Sequence, residues 1–101
     1  MDYVALLSFR PSVDGAARDA ALMRRAAYTY PDGINVIAEY WPIGGPPQVV
    51  SIINTEDTAA MMQLLFEWSD VFDITILPAV SADDGLKIGP EVFGKLQRLQ
   101  S

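Results

Sequence analysis

Residues 34–54, Ile-Asn-Val-Ile-Ala-Glu-Tyr-Trp-Pro-Ile-Gly-Gly-Pro-Pro-Gln-Val-Val-Ser-Ile-Ile-Asn, decide the fold. Ile34 to Trp41 alternates as a strand and Pro42 ends it. Gly44-Gly45-Pro46-Pro47 makes a stiff connection whose prolines offer no ladder donors. Gln48 to Asn54 is a second β-rich run, so the stretch reads as a hairpin with a longer loop.

Each flank of the hairpin carries one strand pattern and one helix pattern. On the N-terminal side, Tyr3 to Phe9 is short and apolar and stops at Arg10-Pro11, which favours a strand. Ser12 or Asp14 can cap the next element, and residues 15–29 are rich in the helix formers Ala, Arg, Leu and Met. Ala16, Ala20, Met23, Ala27 and Tyr30 follow helical spacing, with Arg18 and Arg25 on another face. Pro31-Asp32-Gly33 is a turn.

On the C-terminal side, Thr55-Glu56-Asp57 suits a helix N-terminus, and Met61, Leu64, Leu65 and Trp68 form a stripe along residues 58–70. Asp73 to Val80 is the fourth strand, with Pro78 suited to an edge. Ser81 to Pro90 reads as a polar loop and Glu91 to Leu99 as a short helix that must dock, with Val92, Phe93, Leu96 and Leu99 on one side. The order strand, helix, strand, strand, helix, strand predicts an α+β, ferredoxin-like βαββαβ sandwich: a four-stranded antiparallel sheet with both helices on one face. The expected layout is a domain over residues 1–80 with a C-terminal extension and extra helix over 81–101 in the same domain.

Composition excludes more than it proves. The chain has 101 residues, half of them hydrophobic, and a net charge of −6. Arg24-Arg25 is its only basic pair, so neither nucleic acid nor an anionic membrane is an expected partner. The absence of Cys and His removes disulfides, thiolate nucleophiles, Cys/His zinc sites, Ser-His-Asp chemistry and histidine-ligated haem. No cofactor and no metal is expected: Glu67, Asp70 and Asp73 read as a solvated face, and Asp83-Asp84-Gly85 as a turn. No apolar run approaches the ~20 residues of a membrane span. The start of the chain lacks the positive n-region and cleavage site of a secretion signal, so a cytoplasmic location is expected.

The two helices can cover only one face of the sheet. Alternation assigns Val4/Leu6, Val36/Ala38/Tyr40, Val50/Ile52 and Ile74/Ile76 to the covered face, against Met23/Ala27 and Met61/Leu65/Trp68. It leaves Tyr3/Ala5/Leu7/Phe9, Ile37/Trp41, Val49/Ile53 and Leu77/Ala79 on the open face. An apolar face of that size in water is sticky, and the expected cover is a second copy packed sheet to sheet. The alternative is a monomer whose terminal helix folds over that face.

The same alternation gathers Asn35, Glu39, Ser51 and Thr75 among Tyr3, Phe9 and Trp41 on the open face. Aromatic walls with a few polar groups suit a small apolar or aromatic ligand. A Glu39 desolvated among aromatics would have a raised pKa and could act as a general base, with Asn35, Ser51 and Trp41 orienting a substrate. The competing reading puts Glu39 in water at a strand end and Trp41 at a dimer rim.

Ile34 to Trp41, Gly44-Gly45, Thr55-Glu56-Asp57, Phe66-Glu67-Trp68-Ser69-Asp70 and Pro78-Ala79-Val80 together resemble the bacterial domain of unknown function family 3303, over about residues 3–80. The resemblance implies membership of the dimeric α+β barrel superfamily and sheet-to-sheet dimers. It supplies no established activity and no catalytic residues. Relatives in the wider superfamily include cofactor-free monooxygenases, lactone isomerases and haem enzymes, and the missing histidine counts against the histidine-dependent ones. The expected function is therefore a homodimer that binds a small apolar or aromatic molecule. A cofactor-free monooxygenase or isomerase with Glu39 as base is the first alternative, and a structural or protein-interaction module using the terminal helix the second.

Overall fold

Asp14 and Asp57 start the helices that flank the hairpin. The Asp14 carboxylate accepts from the Ala17 N–H at 2.8 Å and opens α1 (Gly15–Ala26). Asp57 accepts from the Ala60 N–H at 3.1 Å and opens α2 (Thr58–Trp68). Such caps satisfy amide donors that have no partner inside the helix. Asp57 is itself held by the turn before the hairpin. Gly33 has φ +94°, and a Cβ there would lie 2.8 Å from Asp57 Oδ2, so only glycine fits. The Thr55 hydroxyl donates to the Gly33 carbonyl at 2.7 Å and accepts from the Asp57 N–H at 2.9 Å.

The computed structural model describes residues 1–100. Four strands, β1 (Asp2–Phe9), β2 (Asn35–Tyr40), β3 (Val49–Asn54) and β4 (Phe72–Ala79), form one sheet in the order β2-β3-β1-β4. Every neighbouring pair is antiparallel, and the arrangement is the ferredoxin-like α+β fold. Pro78 lies in the edge strand β4, where its missing N–H costs least.

The helices cover the face opposite to the one that alternation selects. The buried cluster is Ala5, Leu7, Val49, Ile53, Leu64, Trp68 and Phe72. Val4, Leu6, Val50 and Ile52, expected under the helices, pair with one another and with Leu77 on the open side. On β4 the expectation holds, since Ile74 and Ile76 pack against the core. On α1 the inward positions are Ala21 and Arg25, whereas Met23 is 75% exposed. On α2 they are Ala60, Leu64 and Trp68. The cause lies in two features. Strand β1 is apolar in both phases, so it carries no contrast to read. Strand β2 has a register shift: Val36 pairs with Ile53 and Ala38 with Ile52, which leaves Ile37 as an extra residue. That bulge reverses the phase of everything after it and turns Glu39 toward the helices.

The C-terminal helix is longer than the spacing predicts. Helix α3 runs over Ala82–Gln100, through the segment expected to be a loop. Ser81 starts it, its hydroxyl accepting from the Asp84 N–H at 3.0 Å and its carbonyl from the Gly85 N–H at 2.8 Å. Asp83 and Asp84 in the first turn and Arg98 in the last complement the helix dipole. The backbone propensity is poor: Gly85, Gly89, Gly94 and Pro90 together disfavour the helix by about 6 kcal/mol relative to Ala. No residue of α3 is buried. The molecule measures 59 × 30 × 20 Å, because α3 projects from the sheet domain. Among the described residues, no helix is long and apolar enough to cross a membrane.

Replacing Trp68 by Ala is expected to lower stability by about 3–5 kcal/mol. Replacing Met23 by Ser is expected to change it by less than about 0.5 kcal/mol. Urea unfolding followed by circular dichroism measures both. A Met23 effect equal to that of Trp68 would contradict the inward face assigned to α1.

Candidate functional site

Arg25 is 4% exposed, a full positive charge inside the domain. Its position follows from helical spacing, four residues after the buried Ala21. Its partner comes from the bulged edge strand. Arg25 Nη2 donates to Glu39 Oε1 at 2.8 Å and Nε donates to Oε2 at 3.3 Å. Tyr30, in the chain between α1 and β2, donates its hydroxyl to Glu39 Oε1 at 2.5 Å and also contacts Arg25 Nη2. Ser51 on β3 lies 2.7 Å from the same Tyr30 oxygen. Trp41, one residue past β2, donates its indole N–H to Glu39 Oε2 at 2.9 Å.

The guanidinium is also stacked. It lies about 5 Å from the ring centres of Tyr28, Tyr30 and Trp68, where the negative ring faces favour a cation. Arg25 Nη1 and Trp68 Nε1 are buried without a hydrogen-bond partner among the described residues.

These contacts set the protonation states. Burial pushes Glu39 upward, but hydrogen bonds from Arg25, Tyr30 and Trp41, with the Arg25 charge, outweigh it and hold the carboxyl below its ordinary 4.5. The raised value expected for a general base is therefore reversed. Burial, and then the hydrogen bond to Glu39, push the Tyr30 phenol up to about 12. The cluster at neutral pH is a carboxylate, a guanidinium and a neutral phenol.

Two cavities lie near this frame, on opposite sides of the sheet. On the helix side, about 280 Å³ is lined by Arg24, Tyr28, Glu67 and Trp68. Its walls are fastened by charge: Arg24 binds Asp70 through two contacts of 3.1 Å, and the Tyr28 hydroxyl donates to Glu67 at 2.5 Å. On the open face, about 360 Å³ is lined by Val4, Ile37, Ile52, Ala79 and Val80, with Asp2, Ser81 and Ala82 at its edge. Neither cavity is lined by Glu39. Among the described residues, no group of acidic side chains is arranged to hold a metal ion.

The residues singled out by alternation separate between the two faces. Glu39 and Ser51 come together under the helices with Trp41 beside them. Tyr3 and Phe9 pack against the same core, Phe9 stacked on Phe72 at 4.9 Å. Asn35 and Thr75 are on the open face, opposite Asn54 and Leu6. Sequence reasoning missed Arg25, Tyr28 and Tyr30. The available signal was the Arg18, Ala21, Arg25 spacing followed by Tyr28-Thr29-Tyr30, which sets a cation against aromatics.

The chain belongs to the domain of unknown function family DUF3303, whose family model matches residues 1–93. The match reaches the first twelve residues of α3, so the family pattern extends past the residue 80 at which the resemblance read from the sequence stops. No curated protein and no solved structure matches the chain.

Glu39→Gln would leave Arg25 buried without a countercharge. The expected loss is about 3 kcal/mol, the low end for a broken buried pair because Glu39 keeps some solvent contact. The pH dependence has a definite sign. The folded pKa of Glu39 lies below 4.5, so its stabilisation is complete above that value and disappears as pH falls through the folded pKa. Urea midpoints measured from pH 7 to pH 3 should fall in the acid range. The fall should be smaller in the double variant Arg25→Met/Glu39→Leu, which has no pair to lose. An equal fall in both proteins would mean that other carboxylates carry the acid sensitivity.

Proposed function

We propose that the protein is a homodimer joined through its open sheet faces and that it binds a small apolar or aromatic molecule in the space between them. The observation that carries this reading is the open-face cavity of about 360 Å³, within the range of small-molecule sites. Its floor is Val4, Ile37 and Ile52, with Asp2 and Ser81 as the polar groups that would orient a ligand. The face around it is apolar at its centre, with Leu6, Val50 and Leu77, and polar toward its ends, with Asn35, Asn54 and Asp73. A centre of that kind favours burial against a matching surface, and a twofold axis supplies one.

The reading is of a binder. The enzymatic alternative finds no support in the geometry, because all the donors around Glu39 come from the protein and hold its carboxylate ionised. A strong base needs the opposite environment.

Light scattering is expected to give twice the chain mass, and Ile52→Glu is expected to give a monomer. Thermal-shift screening with aromatic carboxylic acids, quinones and lactones tests the ligand. A compound present at a hundred times its Kd should raise Tm by about 10 °C, and Ile52→Glu should abolish the shift. A monomeric wild-type mass would overturn the dimer. Equal shifts in wild type and Ile52→Glu would overturn the open-face site.

A further inference from the structure

The open-face cavity carries a single formal charge on its walls, and that charge is negative. Asp2 lines it, no Lys or Arg does so among the described residues, and apart from Ser81 the rest of the lining is apolar. Strand β1 is central in the sheet, and Asp2 is paired with Asn54 on β3 and with Ala79 on β4. Two ladders therefore fix its backbone.

The side chain is fixed as well. Asn54 Nδ2 donates to Asp2 Oδ1 at 2.7 Å. The second oxygen, Oδ2, makes no hydrogen bond and no ion pair among the described residues. A carboxylate only accepts, so Oδ2 lacks a donor. Asp2 is half-buried, and beside apolar walls a cationic donor gives the strongest bond. The body of the fold does not supply one. The Met1 amine is held by Glu56, Arg10 by Asp73, Arg24 by Asp70 and Arg25 by Glu39, and Arg18 donates to the Val13 carbonyl.

One feature at the rim has the opposite sign. Helix α3 begins there with Ala82, and a helix N-terminus by itself attracts anions. The first turn of α3 answers its own dipole with Asp83 and Asp84. The net charge of −6 draws cations toward the chain and repels anions.

Spacing sets the shape of the ligand. Val4 follows Asp2 on the same face of β1, about 7 Å along the strand, and is paired with Ile52 on β3. A ring resting on Val4 and Ile52 reaches Asp2 through a short chain of carbons. A cavity of about 150 Å³ holds benzene, so 360 Å³ leaves room for the ring, the chain and its charged end.

We propose that the ligand of the open-face cavity is an arylalkylamine, whose protonated amine pairs with Asp2 Oδ2 and whose ring lies on Val4 and Ile52. The proposal rests on the open-face reading above and goes further by fixing the charge of the ligand. Among aromatic compounds the cavity selects amines and rejects carboxylic acids, whose charge would meet Asp2 with no cation on the walls to offset it.

The test uses the full chain and three probes with the same ring and a short chain: phenethylamine, phenethyl alcohol and hydrocinnamate. Calorimetry is expected to show phenethylamine bound about tenfold more tightly than phenethyl alcohol, and no binding of hydrocinnamate. Asp2→Asn keeps the size of the side chain and an oxygen for Asn54. It should weaken phenethylamine about tenfold and leave phenethyl alcohol unchanged. Asp19→Asn removes an exposed charge outside the cavity and should leave all three probes as in wild type. Phenethylamine bound equally by wild type and Asp2→Asn, or weakened equally by Asp2→Asn and Asp19→Asn, would overturn the pairing and leave the open-face site standing. Hydrocinnamate bound as tightly as phenethylamine would do the same. Phenethyl alcohol bound equally by wild type and Ile52→Glu, or no binding of any probe, would overturn the open-face site and the amine with it.

Discussion

The buried Arg25–Glu39 pair is the constraint on which the rest of the structure depends. A guanidinium at 4% exposure is tolerable only with a close carboxylate, hydrogen bonds and ring faces around it. Glu39, Tyr30 and the faces of Tyr28 and Trp68 supply those. The pair ties α1 to the edge strand β2, a strand that would otherwise be held by β3 alone. It also requires the bulge at Ile37, because without that extra residue Glu39 would point to the other side of the sheet.

Placing polar groups under the helices has a consequence for the other face. Ser51 and Glu39 are both hydrogen-bonded to the Tyr30 hydroxyl inside the domain. The valines and isoleucines that alternate with them, Val50 and Ile52, are therefore turned outward. The domain carries a polar cluster within its core and an apolar field on its open side. Together with the exposed stripe of α3, this leaves the single chain with apolar surface on two elements. The sheet-to-sheet association proposed above would cover the open face.

The fold was legible in the sequence and the phase of the sheet was not. Strand and helix order follow from local signals: the Pro and Gly between Trp41 and Gln48, the caps at Asp14 and Asp57, and the β-rich runs around them. The face assignment failed because alternation treats a polar residue as a marker of solvent. Here Arg25 and Glu39 are inside because they pair with each other, and they and Ser51 share the Tyr30 hydroxyl, a non-local fact that spans α1, β2 and β3. The bulge adds one residue without a Gly to announce it. The start of α3 was hidden by Gly85, Gly89 and Pro90, although Ser81 ahead of Asp84 is a capping signal. The residues of the candidate site were partly legible. Glu39, Ser51 and Trp41 do lie together, but the cation paired with Glu39 is on a different helix face from the stripe read as the inward side of α1.

A double-mutant cycle between Arg25 and Glu39 tests the central claim most directly. Stabilities of wild type, Arg25→Met, Glu39→Leu and the double variant give the coupling between the two side chains. If the pair is buried and organises the helix-covered face, the coupling should be about 3 kcal/mol. A coupling below about 0.5 kcal/mol, as exposed ion pairs show, would contradict the account by placing the pair at the surface and α1 in another orientation.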